Sequence, residues 1–152
     1  MIVEIRKAIE ADIDSLLSFE KGIIATERPF DNTLKEGDIH YYDLLGLIRS
    51  EKAEVLVAVV NNEIVGSGYA KIKAAEPYQK YTAYAYLGFM YVKPALRGQG
   101  TNKKILTGLI DWAKSQNLTE VRLEVYDQNT IAKNAYLKAG FKPNLLEMRL
   151  EI

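Results

Sequence analysis

Alternating and helical spacings of apolar residues divide the first third of the chain into a strand and two helices. Residues 2–8 alternate between apolar and polar side chains, which predicts a first strand. Apolar residues at helical spacing predict a helix from about residue 10, and a second helix over residues 39–49. Residues 27–32 separate the two helices, because Pro29 and the Asx residues of this segment favour a turn.

The middle of the chain has the pattern of consecutive antiparallel strands. Residues 55–60 and 63–72 predict two strands joined by the two-residue hairpin turn Asn61-Asn62. A loop over residues 73–81 leads to the longest apolar run, residues 83–92, which predicts a central strand.

The last third predicts helices and strands in turn. After the central strand and a short glycine-containing loop, an amphipathic helix is predicted as far as Gln116. Residues 120–126 predict a strand, residues 130–139 a helix that Gly140 ends as a left-handed cap, and residues 144–152 a closing strand. The pattern therefore predicts an α/β (α+β) protein with a mixed sheet, in the order β-α-α-β-β-β-α-β-α-β.

Composition narrows the class of protein. The 152 residues are 48% hydrophobic and 26% charged, which is typical of one soluble domain spanning residues 1–152. Twenty basic residues balance twenty acidic ones, so the charge does not favour nucleic acid, and the absence of cysteine excludes disulfides and thiolate chemistry. The early charges and short apolar runs argue against a signal peptide or a membrane span. We therefore expect a cytoplasmic protein.

The loop after the central strand has the residues of an anion site. Free N–H groups at a helix start and a glycine turn attract phosphate, and Gly98 and Gly100 allow close backbone approach. Four cations surround the loop: Lys93, Arg97, Lys103 and Lys104. A plain strand-to-helix turn with a solvated basic end is the alternative. Dinucleotide and P-loop motifs are excluded, since Lys103 replaces the third glycine and no Gly-Lys-Ser/Thr follows.

Two blocks of residues resemble the acetyl-CoA-binding core of the GNAT superfamily, the Gcn5-related N-acetyltransferases. The first runs through Met90-Tyr91-Val92-Lys93-Pro94 and Arg97-Gly98-Gln99-Gly100-Thr101-Asn102. The second consists of Asn129, Ala132, Tyr136, Gly140 and Phe141. The predicted order of elements is also that of the family, so the resemblance implies a GNAT-like, mostly antiparallel sheet flanked by helices.

The resemblance implies acetyl-CoA as cosubstrate, without a metal. It assigns cofactor contacts to Met90, Tyr91, Val92, Arg97, Gly98, Gln99, Gly100, Thr101, Asn102, Lys103, Asn129 and Tyr136. In the family a bulge in the central strand exposes a backbone amide that polarises the thioester carbonyl. Asn102 departs from the family, which usually has glycine or alanine at that position.

The resemblance also implies a reaction. Tyr136 would be the general acid that protonates the leaving thiolate, and Asn129, seven residues earlier and predicted on the same helix face, would bind the pantetheine arm. The acetyl group would pass to a primary amine of a small molecule or peptide by direct attack in a ternary complex. Two alternatives stay open. Tyr136, one of ten tyrosines, is a packing residue without a catalytic role, or the whole chain is a non-catalytic acyl-CoA-binding regulatory module.

The acceptor is less well determined. Glu27 and Glu76 are candidates for the base, and Glu27, Arg28 and Glu76 for acceptor contacts. Residues 10–43 contain nine acidic and three basic side chains, which would attract a cationic amine, whereas Arg28 would favour a carboxylate. His40, the only histidine, lines an acceptor pocket or lies exposed at a helix start. We expect a monomer or a homodimer, with a small-molecule amine as partner.

Overall fold

A computed structural model describes residues 1–152 and contains one five-stranded sheet. The strands are β1 Glu4–Lys7, β2 Ala53–Val60, β3 Glu63–Ala74, β4 Ala83–Val92 and β5 Val121–Leu123. They lie side by side in chain order; the first four are antiparallel to their neighbours, and β5 is parallel to β4. The parallel pair is possible because a helix connects its strands.

Four helices flank the sheet: α1 Ile13–Glu27, α2 Leu44–Arg49, α3 Thr101–Ser115 and α4 Thr130–Lys138. Short 3-10 turns precede α1, follow it and precede α3, at Glu10–Asp12, Arg28–Phe30 and Pro94–Leu96. None of these helices has the length and apolar character needed to cross a bilayer. The predicted mixed, mostly antiparallel sheet flanked by helices is confirmed.

Both faces of the sheet are buried, which explains the long apolar runs of β2 to β4. Val55 and Val57 of β2 pack under α1 and α2, whereas Leu56 and Ala58 face α3. The core on the α1 face also contains Leu16, Phe19, Ile23, Leu44, Tyr69 and Phe89, and the core on the α3 face contains Ala70, Leu87, Ile105, Leu106 and Leu109.

The predicted start of the second helix at residue 39 is wrong. The helix begins at Leu44, because the Asp43 side chain caps it by accepting a hydrogen bond from the Gly46 N–H at 3.1 Å. The residues before it are held in a non-helical path, since the backbone N–H groups of Tyr41 and Tyr42 donate to the Glu20 carboxylate at 2.9 and 3.0 Å.

The predicted closing strand over residues 144–152 is also wrong. Its alternating pattern suits a strand, but a strand needs a hydrogen-bonded neighbour, and β5 is three residues long rather than the seven predicted. The segment instead leaves α4 in an irregular path with its apolar side chains exposed, Leu145 at 94% and Leu150 at 87%. Arg149 ties it to the Asp31 carboxylate at 3.2 Å.

Candidate active site

A bulge interrupts β4 at the middle of the site. The register places Ser67 opposite Tyr91 but Tyr69 opposite Gly88, so two steps along β3 correspond to three along β4. Phe89 adopts a left-handed backbone (φ 58°), and its carbonyl accepts a hydrogen bond from the buried Ser67 hydroxyl at 3.0 Å. The sequence motif did not reveal this bulge, although the family resemblance implied it.

The bulge shifts the alternation of the side chains beyond it. Phe89 joins the core on the α1 face, Met90 packs against the α3 core, and Tyr91 returns to the α1 face, where it stacks on Phe19 with ring centroids 4.7 Å apart. Glycine at position 88 leaves room for the ring of Tyr69, which would lie 2.6 Å from a Cβ there. The bulge thus fixes which way each residue of the Met90–Val92 segment points.

The β4 backbone has a free edge beyond the bulge. Pairing of β4 with β5 ends at Leu87 and Leu123, whereas β4 continues to Val92. The five residues 88–92 therefore have no ladder partner on the β5 side. Backbone N–H and C=O groups on such an edge can bind an extended ligand in the manner of an added strand.

The loop after β4 ends in an open helix start. Gly98 and Gly100 have positive φ of 77° and 85°, and Gly100 precedes α3 without any side-chain cap. A Cβ at either glycine would meet no atom within 4 Å, so the space in front of the α3 N–H groups is clear. This geometry fits a phosphate group, which such N–H groups and the helix dipole attract.

The side chains around this loop divide into engaged and available groups. Arg97 donates through Nε to the Val92 carbonyl at 2.8 Å, and its guanidinium lies 5.5 Å from the centre of the Tyr91 ring. Lys93 forms an ion pair with Glu63 and so does not belong to the loop cations. Three other predicted residues lie at the loop and helix start: Gln99 and Lys103 are exposed and Asn102 is half-buried.

Thr101 has an unexpected position in this region. Its side chain is buried at the first residue of α3, and its hydroxyl has no hydrogen-bond partner. Buried hydroxyls are almost always hydrogen-bonded. An unpaired one behind an open helix start is therefore consistent with a site that a ligand completes.

Asn129 lies at the start of α4 rather than on its face. Its side-chain carbonyl accepts a hydrogen bond from the Ala132 N–H at 3.2 Å, which makes it the N-cap of the helix. Asn129 therefore precedes the helix on which Ala132 and Tyr136 lie. The capping bond uses the carbonyl oxygen and leaves the side-chain NH2 group to donate elsewhere.

The glycine and phenylalanine of the second block form the C-terminal cap of α4. Gly140 has φ 100°; its N–H donates to the Leu137 carbonyl, and the Phe141 N–H donates to the Tyr136 carbonyl, at 3.1 and 3.0 Å. This pair of bonds defines a Schellman motif. Its apolar contact is the pair of rings Tyr136 and Phe141, whose centroids are 5.9 Å apart.

Comparison with known proteins agrees with this geometry. The sequence profile of the acetyltransferase (GNAT) family matches residues 19–141. The chain belongs to the GNAT acetyltransferase family. The GNAT profile extends from the middle of α1 to the cap of α4, so both motif blocks are included.

Individual relatives match over a short segment or at low sequence identity. A [ribosomal protein bS18]-alanine N-acetyltransferase of Haemophilus ducreyi is 42% identical over 50 residues, which is 33% of this chain and 34% of that protein. A mutant protein of Bacillus halodurans has a TM-score of 0.88 at 21% identity, covering 100% of this chain and 99% of that one. A predicted acetyltransferase of Clostridium acetobutylicum, solved with acetyl-CoA, has a TM-score of 0.79 at 23% identity, covering 99% and 96%.

A half-buried carboxylate, Glu27, lies near the predicted general acid of this GNAT chain. Burial raises the pKa of Tyr136 to about 12, and the charge of Glu27 adds to this effect. Burial also raises the pKa of Glu27. The buried Tyr41 hydroxyl faces Glu27 without a well-formed hydrogen bond. Burial raises the pKa of Tyr42, and the charge of Glu27 raises it further. Glu27 is thus surrounded by phenols.

The structure does not bring Arg28 and Glu76 to this place. The Arg28 guanidinium donates to the carbonyls of Lys35 and Gly37 at 2.8 and 2.7 Å, so it holds the loop after α1. Glu76 is exposed in the loop between β3 and β4. That loop is at the opposite end of β4 from the bulge, about 20 Å away at the usual rise of a strand.

Part of the acidic excess of residues 10–43 is offset by partners. Glu10 pairs with Arg49, Asp12 with Arg6, Glu20 with His40, and Asp31 with Arg149. His40 is therefore a partner of Glu20, with 2.7 Å between its Nδ1 and the carboxylate. The predicted attraction for a cationic amine therefore depends on the carboxylates that have no ion pair, which include Glu27.

A pocket that the sequence did not predict opens on the α1 face of the sheet. It has a volume of about 340 Å³, and its walls include Tyr41, Tyr42, Tyr69, Lys71, Lys73 and Tyr86. Tyr42 connects it to the bulge, because its ring lies 5.6 Å from that of Tyr69 and 5.1 Å from that of Phe89. The period-two series Tyr69, Lys71 and Lys73 at the end of β3 was the available signal.

Proposed function

We propose that this protein is an acetyl-CoA-dependent N-acetyltransferase that acts on the primary amine of a small molecule, by direct attack in a ternary complex. The observation that carries the proposal is the unpaired β4 edge beyond the bulge, which the chain continues into the open start of α3. The β4 edge, the α3 N–H groups and the Asn129 side chain at the start of α4 would together supply donors for an acyl-CoA.

The residues present fit such a ligand. The pyrophosphate would lie at the α3 N–H groups and the clear space at Gly98 and Gly100, with Arg97 and Lys103 beside it. The pantetheine amides would bind the backbone of residues 88–92 and the free NH2 group of Asn129. The bound acetyl-CoA supplies an activated acetyl thioester, and the residues of the chain position it and exchange the protons.

Two proton transfers accompany the reaction. A C–N bond forms as the amine attacks, the C–S bond breaks, and the attacking nitrogen loses a proton while the thiolate gains one. Glu27 would accept the proton of the nitrogen, because burial raises its pKa toward neutral pH. Tyr136 would donate to the sulfur, because its pKa of about 12 keeps the phenol protonated.

The test combines a binding measurement with an activity measurement. Acetyl-CoA at about 100-fold over its dissociation constant should stabilise the fold by roughly 2.7 kcal/mol, which is on the order of 5–10 °C in Tm. Thiol release should then be followed with a panel of primary amines. Tyr136→Phe should lose about 100-fold or more in turnover while keeping the thermal shift.

Tyr78→Phe is the matched control, since Tyr78 is 85% exposed in the loop between β3 and β4. Equal turnover of Tyr136→Phe and the control would contradict the assignment of the general acid. Acetyl-CoA binding without acetylation of any amine would contradict the proposed enzyme and favour an acyl-CoA-binding module. A thermal shift that appears only in Asn102→Gly would identify Asn102 as an obstacle to the diphosphate.

A further inference from the structure

We infer that the acceptor is an amine that also carries an anionic group, and that Lys71 and Lys73 bind this group in the tyrosine-lined pocket beside the bulge. The inference rests on the proposed function, because it identifies the class of substrate for the same site. It replaces the cationic acceptor expected from the acidic residues of the first helices.

The two lysines are the uncommitted charges of the pocket wall. Neither forms an ion pair with an acidic residue. Their ammonium groups lie instead over aromatic rings: Lys73 is 3.8 Å from the centre of the Tyr86 ring, and Lys71 is 5.6 Å from that of Tyr69. Two neighbouring ammonium groups on an aromatic wall form a site for an anion.

Of the other charged groups nearby, Arg122 and Asp43 already have partners, whereas Glu124 beside Tyr86 forms no ion pair. Arg122 lies 4.0 Å over the Tyr84 ring, donates to the Tyr81 hydroxyl at 2.7 Å and pairs with Glu120. Asp43, the acidic residue of the pocket wall, caps α2. Burial lowers the pKa of Lys71, and repulsion by the charge of Lys73 lowers it further. An anion between them would relieve the repulsion.

The strand register shows how far along the sheet each lysine lies from the bulge. Tyr69 lies opposite Gly88 at the bulge, Lys71 opposite Tyr86, and Lys73 opposite Tyr84. At the rise of a strand, the two lysines lie about 7 and about 14 Å from the bulge. The cations are therefore displaced along the sheet from the place where the acetyl group would react.

Acidic groups lie at the reacting end. Glu124 follows the last residue pair of β4 and β5 and so lies at the level of the bulge. Burial raises the pKa of Tyr69 and of Tyr86, and the charge of Glu124 raises both further. Glu27 lies on the same face near Tyr42 and Tyr136. An amine would thus meet carboxylates at the bulge while an anion at its other end meets Lys71 and Lys73.

Isothermal titration calorimetry with matched amines tests this inference without requiring turnover. The pairs are ε-aminocaproate with n-hexylamine, and O-phosphoethanolamine with ethanolamine, each titrated into the protein with and without coenzyme A. We expect the anionic member of at least one pair to bind about tenfold more tightly or better. The two pairs decide between carboxylate and phosphate as the source of the anion.

The double variant Lys71→Met/Lys73→Met should remove this preference and leave the neutral amines unchanged. Lys80→Met is the matched control, because Lys80 is an exposed lysine of the adjacent loop. Lys73→Glu, which places a carboxylate on the same wall, should reverse the preference in favour of the neutral amines. This single variant keeps the test valid if the double variant folds poorly.

Equal affinity within both pairs for the wild-type protein would overturn the inference, as would an unchanged preference in the double variant. Failure of the proposed function gives a different result, in which no amine of either kind is acetylated although these affinities can still be measured. Acetylation of neutral and anionic amines with equal kcat/KM would keep the proposed enzyme and remove the anion site.

Discussion

The ring of Phe141 packs edge-on against the ring of Tyr136, while its backbone N–H donates to the Tyr136 carbonyl at 3.0 Å. Both contacts depend on the left-handed Gly140 between them. The glycine and phenylalanine that follow the tyrosine in the motif therefore serve to orient it. Tyr136 is thus supported from the end of its own helix.

Gly140→Ala should lower both stability and activity. A Cβ at this position meets no atom within 4 Å, so the cost is conformational, about 1–2 kcal/mol for a side chain in a left-handed backbone. Thermal unfolding should show a loss on the order of 2–8 °C, and turnover should fall as the Tyr136 ring loses its support. Asn62→Ala, at another left-handed residue in the β2–β3 turn, should cost similar stability and leave turnover unchanged.

Glu27→Gln should stabilise the protein while it reduces turnover. Because burial raises the pKa of Glu27 in the folded state, the fold favours its protonated form, and this contribution is lost as the pH rises through the folded pKa. A neutral glutamine should therefore raise Tm at neutral pH and give no gain near pH 4. Glu36→Gln, at an exposed glutamate, is the control.

The same variant should change the pH profile of the reaction. If Glu27 accepts the proton of the amine, kcat/KM falls in acid as this carboxylate becomes protonated, and Glu27→Gln removes that limb. An unaltered acid limb in the variant would mean that another group takes the proton, and Glu124 would be the next residue to replace.

The pair His40 and Glu20 should make stability depend on pH in the neutral range. The hydrogen bond to Glu20 raises the pKa of His40, and the charges of Glu20 and Asp38 add to it against the opposing charge of Lys21. The stability from this pair is complete below the unfolded pKa of about 6.5 and is lost as the pH rises through the higher folded value. As the pH rises above about 6.5, Tm should therefore fall more steeply in the wild type than in His40→Gln.

Loss of the hydrogen bond between His40 and Glu20 should also weaken amine binding in the tyrosine-lined pocket. Glu20 is fully buried and binds the N–H groups of Tyr41 and Tyr42 as well as His40. When His40 no longer supports the carboxylate, the two tyrosines of the pocket wall lose part of their anchorage. The KM of the amine should increase in His40→Gln, while the affinity for acetyl-CoA, measured by thermal shift, should not change.

Ser67→Ala should destabilise the bulge. The Ser67 side chain is fully buried, and its hydroxyl is the donor to the Phe89 carbonyl. Loss of a buried hydrogen-bond partner costs about 1–3 kcal/mol, which unfolding in urea would measure. Ser18→Ala, at an exposed serine of α1, is the control. A variant with full stability and full turnover would show that the hydroxyl is not needed to hold Phe89.

Local patterns were sufficient for much of the fold. Strands β2 to β4 are buried on both faces, so their apolar runs were long enough to identify, and the Asn61-Asn62 turn has the positive φ values expected of a two-residue hairpin. The glycines at 98, 100 and 140 also adopt the left-handed backbone for which glycine is suited. At these positions the residue type permits the conformation that the turn or cap requires.

Tertiary contacts decided the features that were missed. Residues 39–43 have helical spacing, but the buried carboxylate of Glu20 takes their N–H groups and Asp43 starts the helix later. The segment 144–152 alternates as a strand does, yet no sheet edge accepts it. The period-two spacing of Lys71 and Lys73 puts them on one face of a strand, but only the register with Tyr84 and Tyr86 places them on an aromatic wall.

The bulge at Phe89 also decides which face of the sheet each signature residue meets. If the same residues formed a straight strand, the side chains would alternate without interruption after Gly88. Met90 would then point at α1 and Tyr91 at α3, and their contacts with Ile105 and Phe19 would be lost together. The residues of the Met90–Val92 signature therefore do not set their own directions, and the extra residue in the strand before them is as much a part of the signature as they are.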